Sequence, residues 1–362
     1  MISPTLLGAL KGGLSSPICL TWELTYGCNL SCVHCLSDSG AKAPGELSRQ
    51  EALGLVDDFS AMGIFYVNIG GGEPTMRRDF FDIISHAQAR RVGVKFSTNG
   101  TYLDRSAAKR LAAMDYVDVQ VSLDGHDALT NDAIRSPGSF AGALGALENL
   151  AREGFSDPKI SVVATRHNVE HLDELLQLAR YHGASLRLTR LRPSGRGAAS
   201  YVDLNPTSAQ QRQLYAWLSS HPEVLTGDSF FHLSALGEPL EGLNMCGAGR
   251  VVCLVDPVGD VYACPFTIHP EFRAGNIREV RFSSIWSHSA LFGELRSKPA
   301  PSGCSQCSAY QSCQGGCMAA KFHTGAQYDD PDPDCVMGRG QLGQSRVSLR
   351  PRRIAANSAA SL

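Results

Sequence analysis

The chain has 362 residues, of which 43% are hydrophobic and 19% charged, and its formal net charge is −2 at pH 7. That length allows one large domain and a smaller one, and the small net charge gives no electrostatic basis for binding nucleic acid or an acidic membrane. No apolar run is long enough to span a bilayer, and residues 1–11 lack a signal-peptide pattern, so the sequence predicts a cytoplasmic protein.

Cysteines are concentrated in two parts of the chain. Cys28, Cys32 and Cys35 follow an apolar run with C-x3-C-x2-C spacing, and eight more lie between Cys246 and Cys335. Disulfides are rare in cytosolic proteins, which favours metal binding. Three thiolates can bind three irons of a [4Fe–4S] cluster and leave the fourth iron open to a substrate. A zinc site is the alternative, although structural zinc usually takes four protein ligands.

Six strand-like runs alternate with helical patterns before residue 220. The strands are predicted at residues 18–25, 66–70, 93–97, 117–123, 159–165 and 185–191. The helices are predicted from a capping box at Ser48 to Gly63, near 79–91, 105–113, 140–154 and 170–182, and from a second capping box at Thr207 to Ser220. Strands that alternate with helices and are apolar on both faces predict parallel β/α units of an α/β fold. This pattern alone allows an open doubly wound sheet or a barrel.

Small and polar residues follow three of these strands. The motifs are Gly70-Gly71-Gly72-Glu73-Pro74, Ser97-Thr98-Asn99-Gly100 and Ser122-Leu123-Asp124-Gly125. Glycines permit a close approach of the backbone to a ligand, and the carboxyl ends of barrel strands carry the active site. Each motif alone is equally consistent with an ordinary turn or helix cap. Their occurrence at successive strand ends predicts a binding site.

The three-cysteine loop and these strand ends resemble the radical SAM superfamily. The resemblance implies a partial (β/α)6 TIM-like barrel, with Cys28, Cys32 and Cys35 holding a [4Fe–4S] cluster whose open iron binds S-adenosylmethionine. It also implies reductive cleavage of S-adenosylmethionine to a 5′-deoxyadenosyl radical, which abstracts hydrogen from an unreactive carbon. The GGEP motif would contact the amino group of the cofactor, with Ser122 and Asp124 near its ribose and methionine portions. The cofactor-binding residues implied are Gly70, Gly71, Gly72, Glu73, Ser97, Asn99, Ser122, Asp124, Arg135, Thr165 and Leu191.

One match to a zinc pattern is interpreted as coincidental. His167-Asn168-Val169-Glu170-His171 reads H-x-x-E-H, which binds zinc only when both histidines share a helix face. Asn168 is predicted to be the N-cap of the next helix, which leaves His167 outside it. Asn168 and Thr165 are assigned instead to the surroundings of the cofactor.

The sixth strand and the loop after it are rich in arginine, with Arg187, Arg190, Arg192 and Arg196. Alternation places Arg190 and Arg192 on one face of the strand. They are either solvated charges at a strand end or contacts that pair bidentately with a substrate carboxylate.

The eight C-terminal cysteines suffice for two complete sets of four ligands. A G-x4-C pattern ends at Cys264, and C-x2-C-x5-C-x3-C runs from Cys304 to Cys317, which resembles the SPASM domain of peptide-modifying radical SAM enzymes. That resemblance implies two auxiliary [4Fe–4S] clusters, and so three clusters in all. The ligands implied are Cys246, Cys253, Cys264 and Cys317 for auxiliary cluster I, and Cys304, Cys307, Cys313 and Cys335 for auxiliary cluster II. A zinc-ribbon domain is the alternative. Cys19 is left over and is predicted to be a buried core thiol.

The predicted organisation has five parts. They are a short N-terminal segment (1–17), a radical SAM partial barrel (18–220), a bridge (221–245), a small cysteine-rich SPASM domain (246–338) and a tail (339–362). The tail is rich in Arg, Ser and Ala without apolar periodicity, which predicts disorder.

Nearly the whole chain, to about Gly338, resembles the mycofactocin radical SAM maturases, with matching stretches at 21–37, 68–81, 119–140 and 304–318. This resemblance implies a ribosomally made precursor peptide ending in Val-Tyr. The tyrosine would undergo oxidative decarboxylation, with an auxiliary cluster accepting an electron, and would then be joined to valine by a carbon–carbon bond. The short N-terminus cannot hold a peptide-binding domain, so a separate small recognition protein is expected, as is an external reductant.

Two alternatives remain at this stage. Another SPASM enzyme, such as a maturase of the pyrroloquinoline quinone type, a sulfatase-maturing oxidase or a thioether-forming enzyme, shares the same motifs and differs in its precursor. A non-catalytic iron–sulfur or zinc scaffold would bind metal without cleaving S-adenosylmethionine. The glycine-rich strand end at Gly70–Gly72 argues against a scaffold, which needs no cofactor cradle.

Overall fold

The computed structural model describes residues 4–227, 230–242, 244–299 and 301–340, except for the side chains of residues 4–7. The predicted disorder of the tail therefore falls, from residue 341 onward, outside the described residues. The strands are β1 (Cys19–Thr25), β2 (Tyr66–Gly71), β3 (Gly93–Thr98), β4 (Val117–Ser122), β5 (Lys159–Ala164), β6 (Ser185–Arg190), β7 (Val252–Val255), β8 (Asp260–Tyr262) and β9 (Arg273–Asn276). The helices are α1 (Pro4–Gly12), α2 (Arg49–Ala61), α3 (Phe80–Ala89), α4 (Arg105–Ala112), α5 (Ala128–Arg135), α6 (Ser139–Arg152), α7 (Leu172–Tyr181), α8 (Gly197–Leu204), α9 (Ser208–Ser220), α10 (Phe282–His288), α11 (Ala290–Ser297), α12 (Tyr310–Cys313) and α13 (Met318–His323).

The strands form a nine-stranded sheet in the order β6-β5-β4-β3-β2-β1-β7-β8-β9. β1 to β6 are parallel neighbours in chain order, which confirms the predicted α/β fold of parallel β/α units. The other neighbour of β1 is β7, which also runs parallel to it, so β1 does not pair with β6. The six strands thus form a partial barrel that does not close into a ring.

Local sequence determines where two of the helices begin. Ser48 caps α2 by accepting the Glu51 N–H at 3.3 Å, and the Glu51 carboxylate accepts the Ser48 N–H at 2.8 Å. Thr207 and Gln210 make the same reciprocal pair at the start of α9. Both predicted capping boxes are present, and each satisfies amides that a helix N-terminus leaves without partners.

The main hydrophobic core lies between the sheet and its helices. In β3, Val94 and Phe96 are buried in this core, whereas Lys95 and Ser97 lie on the opposite face and line a cavity. The prediction that the strands are apolar on both faces is therefore wrong for β3, and also for β6, where Arg187 faces the cavity. Only the outer face packs against helices, so only that face must be apolar.

The C-terminal part of the chain is continuous with the barrel sheet through the pairing of β7 with β1. In the segment predicted to be a bridge, 221–245, the described residues Phe230, Phe231 and Leu233 are buried. The short N-terminal segment, 1–17, contains α1, which packs against α11. Among the described residues, no helix is long and apolar enough to cross a membrane.

Candidate active site

A cavity of about 360 Å³ lies on the inner face of the partial barrel. Its wall combines alternate residues of β1 to β6, the three-cysteine loop and a part of the C-terminal segment. The inner strand residues are mostly polar and include Thr21, Asn68, Lys95, Gln120, Ser161 and Arg187. The cysteines in the wall are Cys19, Cys28, Cys32, Cys35, Cys246, Cys264 and Cys317. Cysteines from both sequence groups therefore border one space.

Backbone and arginine contacts hold the three-cysteine loop in place. The Ser39 N–H points at Cys35 Sγ at 3.4 Å, and the Gly197 N–H donates to the Cys35 carbonyl at 3.3 Å. Arg196 donates from Nε to the Cys32 carbonyl and from Nη2 to the Ser39 carbonyl, each at 2.9 Å. Arg196 is therefore a support of this loop and not a solvated charge at a strand end.

A buried charge cluster joins the cysteine loop to the end of β4. His34, which lies within the loop, places Nε2 2.9 Å from Asp124 Oδ2, and Arg135 Nε lies 2.6 Å from the same oxygen. Asp124 Oδ1 accepts the Val163 N–H at 2.7 Å. Burial alone would raise the pKa of Asp124, but Arg135 and His34 hold it well below its usual value. Asp124 is fully buried and anchors the loop, which corrects the expectation that it contacts the cofactor.

The GGEP motif packs against the start of the cysteine loop. The Gly72 N–H donates to the Thr25 carbonyl at 2.7 Å, and the Glu73 N–H donates to the Gly27 carbonyl at 2.9 Å. Gly71 has a φ of +105°, and a Cβ added to Gly72 would collide with the Gly27 carbonyl oxygen. These two glycines therefore permit the close approach of two backbone segments, besides lining the cavity.

Glu73 connects the ends of β2 and β3 beside the cavity. Its carboxylate accepts the Thr98 hydroxyl at 2.8 Å and the Asn99 N–H at 2.7 Å. Burial raises the pKa of Glu73 in spite of these hydrogen bonds and those from Thr75. A bound ammonium group would offset the cost of burying a charged carboxylate at Glu73. The Glu73 carboxylate therefore suits the amino group of S-adenosylmethionine.

We predict that Gly72→Ala destabilises the fold by about 1–3 kcal/mol, because the added methyl group meets backbone that cannot move aside like a side chain. The measurement is thermal unfolding of the protein before cluster loading. Gly54→Ala in α2 is the matched control, since a Cβ there meets nothing within 4 Å. Alanine is the better helix former, so the control should be neutral or slightly stabilising. Equal unfolding temperatures for the two variants would contradict the prediction.

The structure brings nine of the eleven predicted cofactor residues to the cavity wall. These nine are Gly70, Gly71, Gly72, Glu73, Ser97, Asn99, Ser122, Arg135 and Leu191. Thr165, like Asp124, is fully buried behind the wall, where its N–H donates to the Asn168 side chain at 2.7 Å. Asn168 also donates to the Asp124 carbonyl at 3.0 Å. Thr165 and Asn168 therefore support a strand end and do not reach the cavity.

The H-x-x-E-H stretch lies before α7, which begins at Leu172. Asn168 precedes a 3₁₀ turn and makes no side-chain cap bond, so its predicted N-cap role is corrected. His171 Nδ1 lies 3.4 Å from Glu174 Oε1, and its ring centroid is 4.5 Å from that of His126. Ordinary surface contacts thus account for His171.

The C-terminal cysteines form two groups. One group, Cys304, Cys307, Cys313 and Cys335, is the predicted set of auxiliary cluster II, and its thiols lie within electrostatic reach of one another. Burial raises the pKa of Cys313 to about 11, and nearby Cys304 and Cys335 contribute. The other group consists of the cavity cysteines Cys246, Cys264 and Cys317. Burial raises the pKa of Cys264, and the charges of Cys317 and Cys246 raise it further.

Cys253, predicted to be the fourth ligand of auxiliary cluster I, lies elsewhere. It is completely buried in the main core, whereas its neighbour on β7, Val252, lines the cavity. Burial raises the pKa of Cys253, and the charged groups that act on it are Cys19 and Arg296. Since successive strand residues point to opposite faces, Cys253 faces away from the cavity cysteines.

Cys19, predicted to be a core thiol, is instead half-buried at the cavity wall.

A [4Fe–4S] cluster and a single zinc ion require different arrangements of thiolates. Among the described residues, no three His, Cys, Asp or Glu side chains are grouped so that they could hold one metal ion. Structural zinc needs four ligands around one point, whereas a [4Fe–4S] cluster binds each thiolate through a different iron. The three-cysteine loop, with its thiols at the cavity wall, fits a cluster that keeps one iron accessible.

Comparisons with known proteins agree with this geometry. The Radical SAM superfamily matches residues 22–180, and the iron–sulfur cluster-binding domain SPASM matches residues 246–308. Mycofactocin maturase MftC of Mycolicibacterium smegmatis is 58% identical over 353 residues, which cover 96% of this chain and 90% of that protein. The protein of the same name from Mycobacterium ulcerans is 58% identical over 355 residues, with 96% of each chain covered. The chain belongs to the mycofactocin maturase family of radical SAM enzymes.

Solved structures show the same fold at lower sequence identity. The crystal structure of Streptococcus suis SuiB bound to precursor peptide SuiA has a TM-score of 0.75 and 19% identity, covering 90% of this chain and 77% of that chain. The structure of anSMEcpe with bound AdoMet has a TM-score of 0.63 and 18% identity, covering 83% and 89% of the two chains. Family membership means that the enzyme uses S-adenosylmethionine and iron–sulfur clusters.

The two arginines predicted to contact a substrate carboxylate differ in their surroundings. Arg190 donates to both oxygens of Asp332 at 3.0 and 2.6 Å and to Asp334 at 2.7 Å, with 3% of its side chain exposed. This enzyme's own carboxylates therefore occupy Arg190, which corrects that expectation. Arg192 stacks on the Phe266 ring at 4.0 Å and lines the cavity, so it remains a candidate.

Sequence reasoning missed the roles of three residues of this site. They are His34 and Arg196, which anchor the cysteine loop, and Lys95, which faces the cavity. The sequence contains a signal for Lys95. It lies between the apolar residues Val94 and Phe96, and this alternation predicts that Lys95 points to the face of the strand opposite the core. The partners of His34 and Arg196 are distant in sequence, and no local pattern indicates them.

Proposed function

We propose that the enzyme matures a ribosomally made precursor peptide that ends in Val-Tyr, as its membership of the mycofactocin maturase family suggests. The observation that carries the proposal is the shared cavity, whose wall contains both the three-cysteine loop and the cysteines Cys246, Cys264 and Cys317. Radical generation and electron removal can then act on one bound peptide.

In this proposal the chain holds three [4Fe–4S] clusters. Cys28, Cys32 and Cys35 hold the first, and its open iron takes S-adenosylmethionine. The cavity cysteines Cys246, Cys264 and Cys317 hold auxiliary cluster I. Auxiliary cluster II takes Cys304, Cys307, Cys313 and Cys335. The nine cavity-lining residues of the predicted cofactor set form the cradle for S-adenosylmethionine, with Glu73 at its amino group.

When bound and reduced, this assembly supplies a carbon-centred radical that abstracts a hydrogen atom from the substrate. In the first reaction the C-terminal tyrosine loses a hydrogen atom from Cβ, then carbon dioxide and one electron, and becomes a hydroxystyryl amide. In the second, the valine side chain loses a hydrogen atom and bonds to the new alkene. The resulting product radical takes up one electron and one proton, so the peptide product is an isomer of the alkene. Residues of the barrel bind the peptide and exclude water from it.

The enzyme also needs partners. An external one-electron reductant supplies electrons to the first cluster. A separate small recognition protein binds the leader of the precursor peptide, and the reaction takes place in the cytoplasm. A relative in fold, SuiB, has been crystallised with its precursor peptide SuiA, which supports a peptide substrate.

The test is an anaerobic assay with the cluster-loaded enzyme, S-adenosylmethionine, reductant, the precursor ending in Val-Tyr and its recognition protein. We expect 5′-deoxyadenosine together with a peptide that has lost carbon dioxide and two hydrogens. Deoxyadenosine with an unchanged peptide would reject this substrate and keep the radical SAM chemistry. Absence of deoxyadenosine from fully loaded enzyme would reject the proposed chemistry. Cys28→Ala is the negative control, because it removes a ligand of the first cluster.

A further inference from the structure

A second and smaller cavity shares Cys246 with the large one, because this cysteine lines both of them. The second cavity, here called the basic cavity, has a volume of about 110 Å³. Its described wall contains no Asp or Glu but five cations, which are Lys11, Arg250, Arg296, Lys298 and Lys321. Sites for small molecules typically measure roughly 300–1,000 Å³. Positive charge is therefore concentrated beside a proposed cluster ligand, around a space too small for a substrate peptide.

Neutral groups orient the cations of the basic cavity. Arg250 donates from Nε to the Lys11 carbonyl at 3.1 Å and from Nη2 to the Lys298 carbonyl at 3.3 Å. Among the described residues, Lys298 is the one member of the five that forms an ion pair, with Glu294 at 3.5 Å. A carbonyl oxygen fixes the direction of a guanidinium group but does not cancel its charge. The field of Arg250 therefore acts on the groups that surround the cavity.

Lys321 is the most deeply buried of the five cations, with 3% of the residue exposed. Its Nζ donates to the Tyr328 carbonyl at 3.0 Å, and its N–H donates to the Cys317 carbonyl within α13. A buried ammonium group is costly unless negative charge compensates it. Burial raises the pKa of the Cys304 thiol, whereas the charge of Lys321 lowers it. Lys321 therefore lies close to one proposed ligand of each auxiliary cluster.

Arg250 has the corresponding relation to Cys246, beside which it lines the basic cavity. Burial and the charge of Cys317 raise the pKa of the Cys246 thiol, whereas the charge of Arg250 lowers it. A cation that stabilises a thiolate also stabilises the electron that a cluster gains on reduction, since both add negative charge at the same place. Charges outside the ligand set are one of the means by which a protein sets the potential of a cluster.

We propose that Lys321 and Arg250 raise the reduction potentials of the auxiliary clusters and so favour the transfer of an electron to them from the substrate. This inference rests on the proposed function, because it needs two auxiliary clusters and an electron that leaves the tyrosine. After loss of the Cβ hydrogen atom, the tyrosine radical releases carbon dioxide and one electron, and one cluster gains that electron. The added negative charge is offset by the two cations.

The experiment is a redox titration of cluster-loaded protein, followed by electron paramagnetic resonance. Every variant is made in the Cys28→Ala enzyme, which lacks the first cluster, so that the auxiliary clusters are titrated alone. We expect Lys321→Met and Arg250→Met each to make the reduction of an auxiliary cluster about tenfold less favourable. For a one-electron couple this lowers the potential by about 59 mV. Methionine keeps much of the buried side-chain volume and removes the charge.

The controls separate the effect of charge from that of folding. Arg250→Lys keeps the charge but loses the paired hydrogen bonds to two carbonyls, so it should retain most of the potential. Lys109→Met, on the exposed face of α4, should leave both potentials unchanged. Iron content and thermal unfolding are measured for every variant. A purely structural role would lower these two quantities without shifting the potential of the clusters that remain.

Two outcomes would overturn the inference. In one, the methionine variants that load fully with iron keep the potentials of the Cys28→Ala parent; if Lys321→Met does not load, Arg250→Met decides. In the other, Arg250→Lys lowers the potential as much as Arg250→Met. The parent should contain about eight irons, the content of two four-iron clusters. If it does and the potentials do not move, only the inference fails; if it lacks the auxiliary clusters, the proposed function fails.

Discussion

Replacing Arg190 with methionine is expected to destabilise the enzyme by about 3–5 kcal/mol, because it leaves two buried carboxylates without their cation. Arg190 binds Asp332 through both of its oxygens and also reaches Asp334, and neither carboxylate side chain is more than 3% exposed. Burial alone would raise the pKa of Asp332, but Arg190 holds it well below its usual value.

The same substitution is expected to reduce bound iron. Asp332 Oδ2 also accepts the Cys317 N–H at 2.6 Å, and Asp334 lies next to Cys335 in sequence. The ion pair therefore holds Cys317 and Cys335 against the barrel. These are proposed ligands of auxiliary clusters I and II, respectively. We expect the auxiliary clusters to be lost first, with the cluster of the three-cysteine loop retained.

Thermal unfolding, iron analysis and electron paramagnetic resonance of the reduced protein check this prediction. Arg180→Met is the matched control, since Arg180 forms an ion pair of 2.9 Å with Glu223 in which both side chains are largely exposed. An exposed pair contributes about 0–1 kcal/mol, so the control should keep its stability and its iron. An Arg190→Met variant that equals the control in both measurements would show that the buried pair does not fix the C-terminal segment.

Short-range patterns predicted most of the fold. The strand predicted at residues 159–165 is β5, Lys159–Ala164, and the helix that follows the Ser48 capping box is α2. Both depend on residues within a few positions of one another, where periodicity and capping are strong signals. The prediction that the strand-end motifs line one cavity followed from the rule that active sites lie at the carboxyl ends of parallel barrel strands.

Contacts between residues far apart in the chain could not be predicted from the sequence. The pairs of Arg190 with Asp332 and of His34 with Asp124 join positions far apart in the chain, and many carboxylates are available to each cation. Sequence therefore suggested that Arg190 is free to receive a substrate and that Asp124 is free to bind the cofactor. Both side chains are already bound within the fold.

The assignment of Cys253 to auxiliary cluster I is a different case, because counting cysteines does not show where a thiol points. Its surroundings, Val252-Cys253-Leu254-Val255, form an apolar run that favours a buried strand, and in a strand only alternate residues can share a ligand. The structure places Cys253 among core residues such as Phe59 and Val255, on the face opposite the cavity.

Replacing Cys264 with alanine is therefore expected to remove about four of the twelve irons that three four-iron clusters contain, whereas Cys253→Ala should remove none. Cys264 faces the cavity with Cys246 and Cys317, and loss of one thiolate leaves that group too few ligands to keep its cluster. Cys253 in the core only fills space, and its replacement by alanine should cost about 1 kcal/mol of stability.

Iron and sulfide analysis of the two variants, reconstituted side by side, decides between the sequence assignment and the structure. If Cys253→Ala loses as much iron as Cys264→Ala, the thiol turns towards the cluster when iron binds, and β7 must rearrange to allow it. If only Cys264→Ala loses iron, the chain supplies three thiolates to the cluster beside the cavity. The fourth iron of that cluster then needs a ligand other than Cys253, and the cavity beside it is the place where that ligand would be found.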